Sequence, residues 1–342
     1  MELHRILGVE LPVIQAPMAG VQTSALAIAV CNAGGLGSLP CAMLDAATIR
    51  REVAAIRAQT KAPFNLNFFC HRPPVVDPAR EAAWREALAP YYREHGLDIA
   101  SVPVGGGRFP FDAASAAIVE ELRPEVVSFH YGLPEGALLD RVRATGARIL
   151  SSATTVDEAR WLEARGVDAV IAQGLEAGGH RGHFLDDDLS LQSGTFALLP
   201  QIVAAVGVPV IAAGGIADRA GVEAARALGA AMVQVGTAYL CCPEATTTAI
   251  HRVALMSPAA RHTALTRLIT GRPARGIVNR LMREVPDAAA PAFPLATAAI
   301  GPLRAAAEAR GSGDFSPLWS GQNASGCAER PAGELTRALA GA

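Results

Sequence analysis

Short runs of β-branched and other apolar residues recur along this chain. Each gives way to glycine-rich punctuation and then to an alanine-rich stretch with helical spacing. The runs fall at 12–17, 35–39, 64–69, 126–130, 148–153, 168–173, 208–213 and 232–237, with helical stretches at 24–32, 46–58, 138–145, 156–165, 196–206 and 219–228 between them. Strands separated by helices predict βαβ units and a parallel sheet. The runs are mostly apolar along their length, as strands buried on both faces are. Eight of them predict an α/β fold of the (β/α)8 TIM barrel type rather than a doubly wound sheet.

Two stretches fall outside this repeat. Residues 70–124 are too long for one strand-to-helix connection and contain Pro73-Pro74 and Gly105-Gly106-Gly107. They predict one or two added helices and a loop near the barrel mouth. Beyond the eighth run, helical stretches at 246–255 and 263–268 and a last helix near 334–339 predict a smaller, mostly helical second lobe covering the mouth. The domain reading is therefore a barrel over 1–245, with an insertion at about 70–124, and a lobe over 246–342.

Composition removes several function classes. With 342 residues, 51% of them hydrophobic, the chain can bury a core without disulfide or metal staples. Thirty basic against 32 acidic residues, and only 5% aromatics, argue against a nucleic-acid partner. Lys61 is the only lysine and stands outside any Gly-Lys-Ser/Thr sequence, so neither a P-loop nor Schiff-base chemistry is supported. Six scattered cysteines form no Cys-x-x-Cys pair and read as reduced, buried thiols. The opening Met-Glu-Leu-His-Arg carries no apolar leader, and the apolar stretch 230–242 is interrupted by Gln234, Gly236 and Thr237. A cytoplasmic protein without a membrane partner is expected.

Ligands of such barrels bind at the carboxyl ends of the strands, and the loops after strands seven and eight commonly hold a phosphate. Here those loops are Ala213-Gly214-Gly215-Ile216 and Gln234-Val235-Gly236-Thr237. Glycines let backbone amides approach phosphate oxygens, and Thr237 adds a hydroxyl. One such turn alone reads as a tight connection; two at the expected strands predict phosphate binding. The densest cluster, from Gln173 through Gly178-Gly179-His180 to His183, follows the sixth run. His180 can offer a hydrogen bond, or a positive charge if protonated, to an anionic substrate. His180 and His183 lack a third ligand at suitable spacing, so no metal is expected.

Asn65 and Asn67 share one face of the third run, and Asn67 at its end reads as a ligand contact. Gln15 and Met18 end the first run, where Met18-Ala19-Gly20 can slide under a ring system. His130 ends the fourth run and reads equally as a catalytic candidate or a structural histidine. Asp186-Asp187-Asp188 reads as a solvated loop. Gly105-Gly106-Gly107-Arg108-Phe109-Pro110 fails Gly-x-Gly-x-x-Gly at its last position, so a Rossmann dinucleotide site is unsupported.

The chain resembles the nitronate monooxygenases, formerly called 2-nitropropane dioxygenases, of the bacterial class I. The matching pieces are Gln15-Ala16-Pro17-Met18-Ala19-Gly20, Asn67, the block from Ala172 to His180, Ala213-Gly214-Gly215-Ile216, Gln234-Val235-Gly236-Thr237 and Leu318-Trp319-Ser320-Gly321-Gln322. The resemblance implies FMN in the barrel, with its phosphate against Gly214, Gly215, Gly236 and Thr237. Ala16, Pro17, Met18, Asn67, Gln173, Gly178, Gly179 and Gln234 are the further cofactor candidates, and His180 matches the histidine facing the flavin. The implied reaction is oxidative denitrification of an alkyl nitronate, such as propionate 3-nitronate, with O2 through a flavosemiquinone. A nitronate is already an anion, so His180 is expected to bind and orient it, and to act as a base only toward neutral nitroalkanes. The alternatives are an FMN-dependent NAD(P)H reductase of the enoyl-acyl-carrier-protein or quinone type, and a phosphate-binding module without catalysis.

Overall fold

A computed structural model describes residues 3–105 and 107–342 of the chain; Met1, Glu2 and Gly106 of the glycine triplet lie outside the described residues. The strands are β1 (Val13–Gln15), β2 (Gly37–Pro40), β3 (Phe64–Phe69), β4 (Val126–His130), β5 (Arg148–Ala153), β6 (Ala169–Gln173), β7 (Gly179–His180), β8 (Val210–Ala213), β9 (Met232–Val235), β10 (Thr263–Thr266) and β11 (Ala274–Ile277). Eight of them form one parallel sheet in the order β1-β9-β8-β6-β5-β4-β3-β2. A parallel bridge between Ile14 and Leu36 joins the two edge strands, making the sheet a (β/α)8 barrel. Several strands are shorter than their apolar runs. Pro12 and Pro17 flank β1, and Pro209 precedes β8; none has an amide to give to a ladder.

The helices between the strands are α2 (Ser24–Asn32), α3 (Ala46–Gln59), α4 (Pro78–His95), α5 (Ala113–Leu122), α6 (Gly136–Ala144), α7 (Val156–Glu163), α8 (Thr195–Ala205) and α9 (Arg219–Ala227), after a short α1 (Leu3–Ile6). Asp45, Asp77, Asp112 and Asp218 each accept first-turn amides and so fix where α3, α4, α5 and α9 begin. Beyond β9 follow α10 (Ala249–Leu255), α11 (Arg280–Glu284), α12 (Ala296–Glu308) and α13 (Ala332–Ala340).

Side-chain alternation decides what the barrel lumen holds. Leu66, Val127, Phe129, Val170, Ala212 and Val233 pack outward against the helices. Ile14, Val126, Leu150, Ala169, Ile171, Ile211 and Met232 belong to a separate inner cluster with Leu3 and Leu7, so α1 plugs the amino-terminal end. Two residues further along the same inward series stand Asn67, Ser128, Ser152, Gln173 and Gln234, all lining a cavity at the carboxyl ends of the strands. The lumen is thus mostly apolar below, where Asn65 and Ser38 are the polar exceptions, and polar above.

The second lobe differs from expectation in three ways. Residues 263–268 do not form a helix: Thr263–Thr266 is strand β10, paired antiparallel with β11. Its Thr-Ala-Leu-Thr sequence has β-branched residues at both ends and too few residues to hold an isolated helical turn. The lobe also draws on the insertion. Trp84, Leu88, Tyr91 and Tyr92 of α4 share one core with Ile300 and Leu303 of α12 and with Phe315, and the Tyr92 hydroxyl donates to the carbonyl of Ala299 at 2.6 Å. Finally, α13 does not lie over the mouth. It packs against α2, α9 and β1, taking the wall position that a helix directly after β9 would occupy.

Candidate active site

The cavity at the barrel mouth encloses about 1340 Å3, counting its solvent-open part. Every cofactor and catalytic candidate named from the sequence reaches it. Ala16, Pro17 and Met18 enter from the end of β1, and Asn67 and His130 from β3 and β4. Gln173, Gly178, Gly179 and His180 come from β6 and the loop after it. Gly214 and Gly215 follow β8; Gln234, Gly236 and Thr237 end and follow β9.

The loop carrying His180 is held from both sides. Gln173 spends both ends of its amide on it, donating to the carbonyl of His180 (2.9 Å) and accepting from the amide of Gly182 (2.8 Å). The buried Arg181 donates to the carbonyls of Gln173 and Gly174 at 2.7 and 2.6 Å. On the far side β7 pairs with β11, His180 opposite Ala274, so the lobe fixes the histidine's height above the barrel. Gly178 is required by a close approach: a Cβ there would come within 2.5 Å of the Gly321 amide nitrogen. Gly214 and Gly215 adopt φ of +110° and +75°, conformations that side-chain-bearing residues rarely adopt.

The two glycine turns after β8 and β9 are covered by the segment after Trp319. Gly321 donates its amide to the Thr237 hydroxyl (2.9 Å), leaving that hydroxyl's proton to be donated elsewhere, and Asn323 donates to the carbonyl of Gly215 (3.0 Å). Gln234 presents a buried Oε1 with no hydrogen-bond partner among the described residues. Gln15 has a different task. It donates to Gln22 at 2.8 Å and accepts from the Ser38 amide at 3.0 Å, while Gln22 accepts from the Met18 amide, so this pair shapes the segment after β1.

His180 shares a hydrogen bond with Thr270 through Nε2 (2.9 Å), and the His130 ring lies between Ser152 Oγ (3.0 Å) and the carbonyl of His180 (3.3 Å). Burial, then the charge of Arg108, holds the His180 pKa well below the ordinary value of 6.5. Burial likewise pulls His130 down to about 3, and His71 and His251 to about 4. These imidazoles are therefore neutral at physiological pH, and His180 does not carry the positive charge considered above.

Acidification should destabilise the fold. The folded-state pKa values lie below 6.5, so between about pH 4 and 6.5 the unfolded chain binds more protons. Stability is complete above pH 6.5 and falls on acidification, each such histidine adding a slope of about 1.4 kcal/mol per pH unit. Melting temperatures measured from pH 8 to 4.5 should be flat above 7 and decline steadily below 6.5.

Some site residues carried no sequence signal of their own. Ser128, Ser152 and His251 line the cavity, and His251 Nε2 lies 2.9 Å from the carbonyl of Trp319. Arg108, refused as part of a dinucleotide loop, also lines it. Its place behind a glycine triplet in an insertion near the mouth was the available signal. The acidic triplet is more than a solvated loop: Asp187 Oδ1 lies 3.3 Å from Nε2 of buried His183, and Asp188 caps the short helix Leu189–Leu191. Among the described residues no group of three or more His, Cys, Asp or Glu could hold a metal ion, and no helix is long and apolar enough to cross a membrane.

A parallel barrel with a polar, glycine-lined cavity at the carboxyl ends of its strands and a half-buried neutral histidine beside it is the arrangement of a barrel enzyme's active site. Residues 1–341 match the sequence model of the nitronate monooxygenase family, and the chain belongs to that family. It is 46% identical to a nitronate monooxygenase of Pseudomonas aeruginosa, over 98% of this chain and 97% of that protein. It is 44% identical to one from Paraburkholderia phytofirmans, covering 98% and 92%. The nitroalkane oxidase of Streptomyces ansochromogenes superposes with a TM-score of 0.92 at 38% identity, covering 100% of this chain and 97% of the other. A FabK variant from Thermotoga maritima reaches 0.72 at 26% identity, covering 98% and 93%. Family membership carries the oxidation of nitronates.

Proposed function

We propose that this protein is an FMN-dependent nitronate monooxygenase that oxidises small alkyl nitronates, such as propionate 3-nitronate, with O2. The observation that carries the cofactor assignment is the buried, unpartnered Oε1 of Gln234 on the cavity wall. A buried acceptor without a donor costs roughly 1–3 kcal/mol, and a flavin ring N–H is a suitable donor. Gly214, Gly215, Gly236 and Thr237 would hold the phosphate, by close backbone approach and by the Thr237 hydroxyl proton. Ala16, Pro17, Met18, Asn67, Gln173, Gly178 and Gly179 would border the rest of FMN. The chemistry bound FMN supplies is one-electron acceptance from the nitronate and reactivity toward dioxygen.

The chain's own groups supply position and proton control. A neutral His180 orients an anionic nitronate by hydrogen bonding and is unprotonated, hence able to accept a proton from a neutral nitroalkane. His130 acts through its contact with the backbone of His180 as a positioning residue. The aromatic walls formed by Phe69 and Trp319 exclude water from this corner.

Oxygen uptake by the FMN-loaded protein tests the reading. Propionate 3-nitronate should drive O2 consumption with release of nitrogen oxyanions, while NADH and NADPH leave the flavin oxidised. Rapid flavin bleaching by NADH or NADPH, with no nitronate-dependent uptake, would replace the proposal by the NAD(P)H-dependent reductase.

A further inference from the structure

A nitronate carries a full negative charge, yet the histidines around the cavity are neutral and no acidic residue or lysine lines it among the described residues. One permanently charged side chain does: Arg108. Its loop is anchored on either side of the cavity rim, with the Phe111 amide donating to the carbonyl of Phe69 (2.7 Å) and the Phe109 amide to that of Ala42 (3.4 Å). The guanidinium donates to the Thr297 hydroxyl through Nη1 (3.1 Å), while Nε is buried without a partner among the described residues. Among the described residues none of its nitrogens is in an ion pair with a carboxylate, and burial lowers its pKa from the ordinary arginine value. One ring adjoins both Arg108 and His180. Phe293 lies 5.9 Å from the Arg108 Cζ and 5.4 Å from the His180 ring centre.

Arg272, another cation near the histidines, is differently committed. It stacks 4.2 Å from the centre of the Tyr131 ring, donates to the carbonyl of His183 and does not line the cavity. A half-buried cation without a counter-charge gains free energy when an anion arrives to pair with it. A guanidinium also matches a planar O–N–O or O–C–O group with two parallel hydrogen bonds.

We infer that Arg108 is the substrate-anion receptor of this site, binding the planar, negatively charged end of a small nitronate or carboxylate beside His180. The inference rests on the functional reading above, whose substrate is an anion, and adds the residue that selects for charge. Arg108 supplies binding energy to an anion already formed, so its loss raises KM for a nitronate more than it lowers kcat.

The test uses the FMN-loaded protein and isobutyrate, a redox-inert carboxylate with the shape of propane-2-nitronate. Wild-type protein should bind isobutyrate at least about tenfold more tightly than the neutral isobutyramide, as a hydrogen-bonded charge predicts. This comparison needs no variant. Arg108→Gln should weaken isobutyrate, and raise KM for propane-2-nitronate, by about ten- to a hundredfold with kcat changed only a few-fold. Arg108→Lys, which keeps the charge but not the two-pronged donor, should recover part of the loss. Equal binding of acid and amide, or a lysine variant as weak as the glutamine one, overturns the inference. So does a wild type that turns over nitronate beside an Arg108→Gln variant of unchanged KM, and in that case the functional reading stands. A wild type that binds isobutyrate through Arg108 but consumes no O2 with any nitronate leaves the anion receptor standing and removes the functional reading.

Discussion

Replacing His180 by asparagine should lower kcat/KM for neutral nitroalkanes by about 10^2–10^4-fold, the usual contribution of a positioned base. Turnover of preformed nitronates should stay within about tenfold of wild type, because no proton has to leave them. The split follows from the environment of the imidazole. Burial and the Arg108 charge keep it unprotonated, so it is ready to accept a proton but offers no cationic attraction. The asparagine amide overlays Nδ1 and not the Nε2 that lies 2.9 Å from Thr270, so that hydrogen bond is lost as well, and the amide takes up no proton near neutral pH. Steady-state assays with nitroethane and with its nitronate, prepared separately in base, measure both arms. Equal losses on the two substrates would mean that His180 acts on something common to both, and full activity on both would remove it from the reaction.

A second large effect is expected at the phosphate-type turn. Gly236 has φ of −115°, within reach of any residue, and a Cβ there would meet only Ala16 Cβ at 3.4 Å and Met18 Sδ at 3.7 Å, which are ordinary contacts. Gly236→Ala should therefore fold and, adding no charge, should lose far less FMN affinity than Gly236→Asp. Gly236→Asp places a carboxylate where the phosphate is proposed to sit. Two like charges about 4 Å apart repel by about 4 kcal/mol at the effective dielectric of a protein surface. FMN affinity should then fall on the order of 10^3-fold, as read from flavin retained after gel filtration and from fluorescence titration of the apoprotein. Undiminished affinity in Gly236→Asp would place the phosphate elsewhere in the cavity.

The barrel was legible because its signal is local and repeated: an apolar run, a small-residue turn and a helical stretch occur again and again. The glycines of the turns at 214–215 and 236 are visible for the same reason, since their spacing relative to the strand ends is a property of sequence. What stayed hidden depends on pairing between distant segments. Nothing in Gly179-His180 announces a strand, because β7 exists only through its pairing with Ala274 and Arg275 of β11. The place of α13 in the barrel wall likewise comes from the absence of a wall helix directly after β9, where Thr237–Cys241 turns into a short 3-10 helix. The neutrality of His180 could not be read either. It is set by burial beside Phe69, Phe293 and Trp319 and by Arg108, which come from four separate parts of the chain.

An anaerobic absorbance titration of the FMN-loaded protein with propionate 3-nitronate tests the central claim most directly. Loss of the oxidised flavin bands in proportion to added nitronate, restored when air is admitted, is the result this account predicts. Oxidised flavin bands that remain unchanged at saturating nitronate would contradict it.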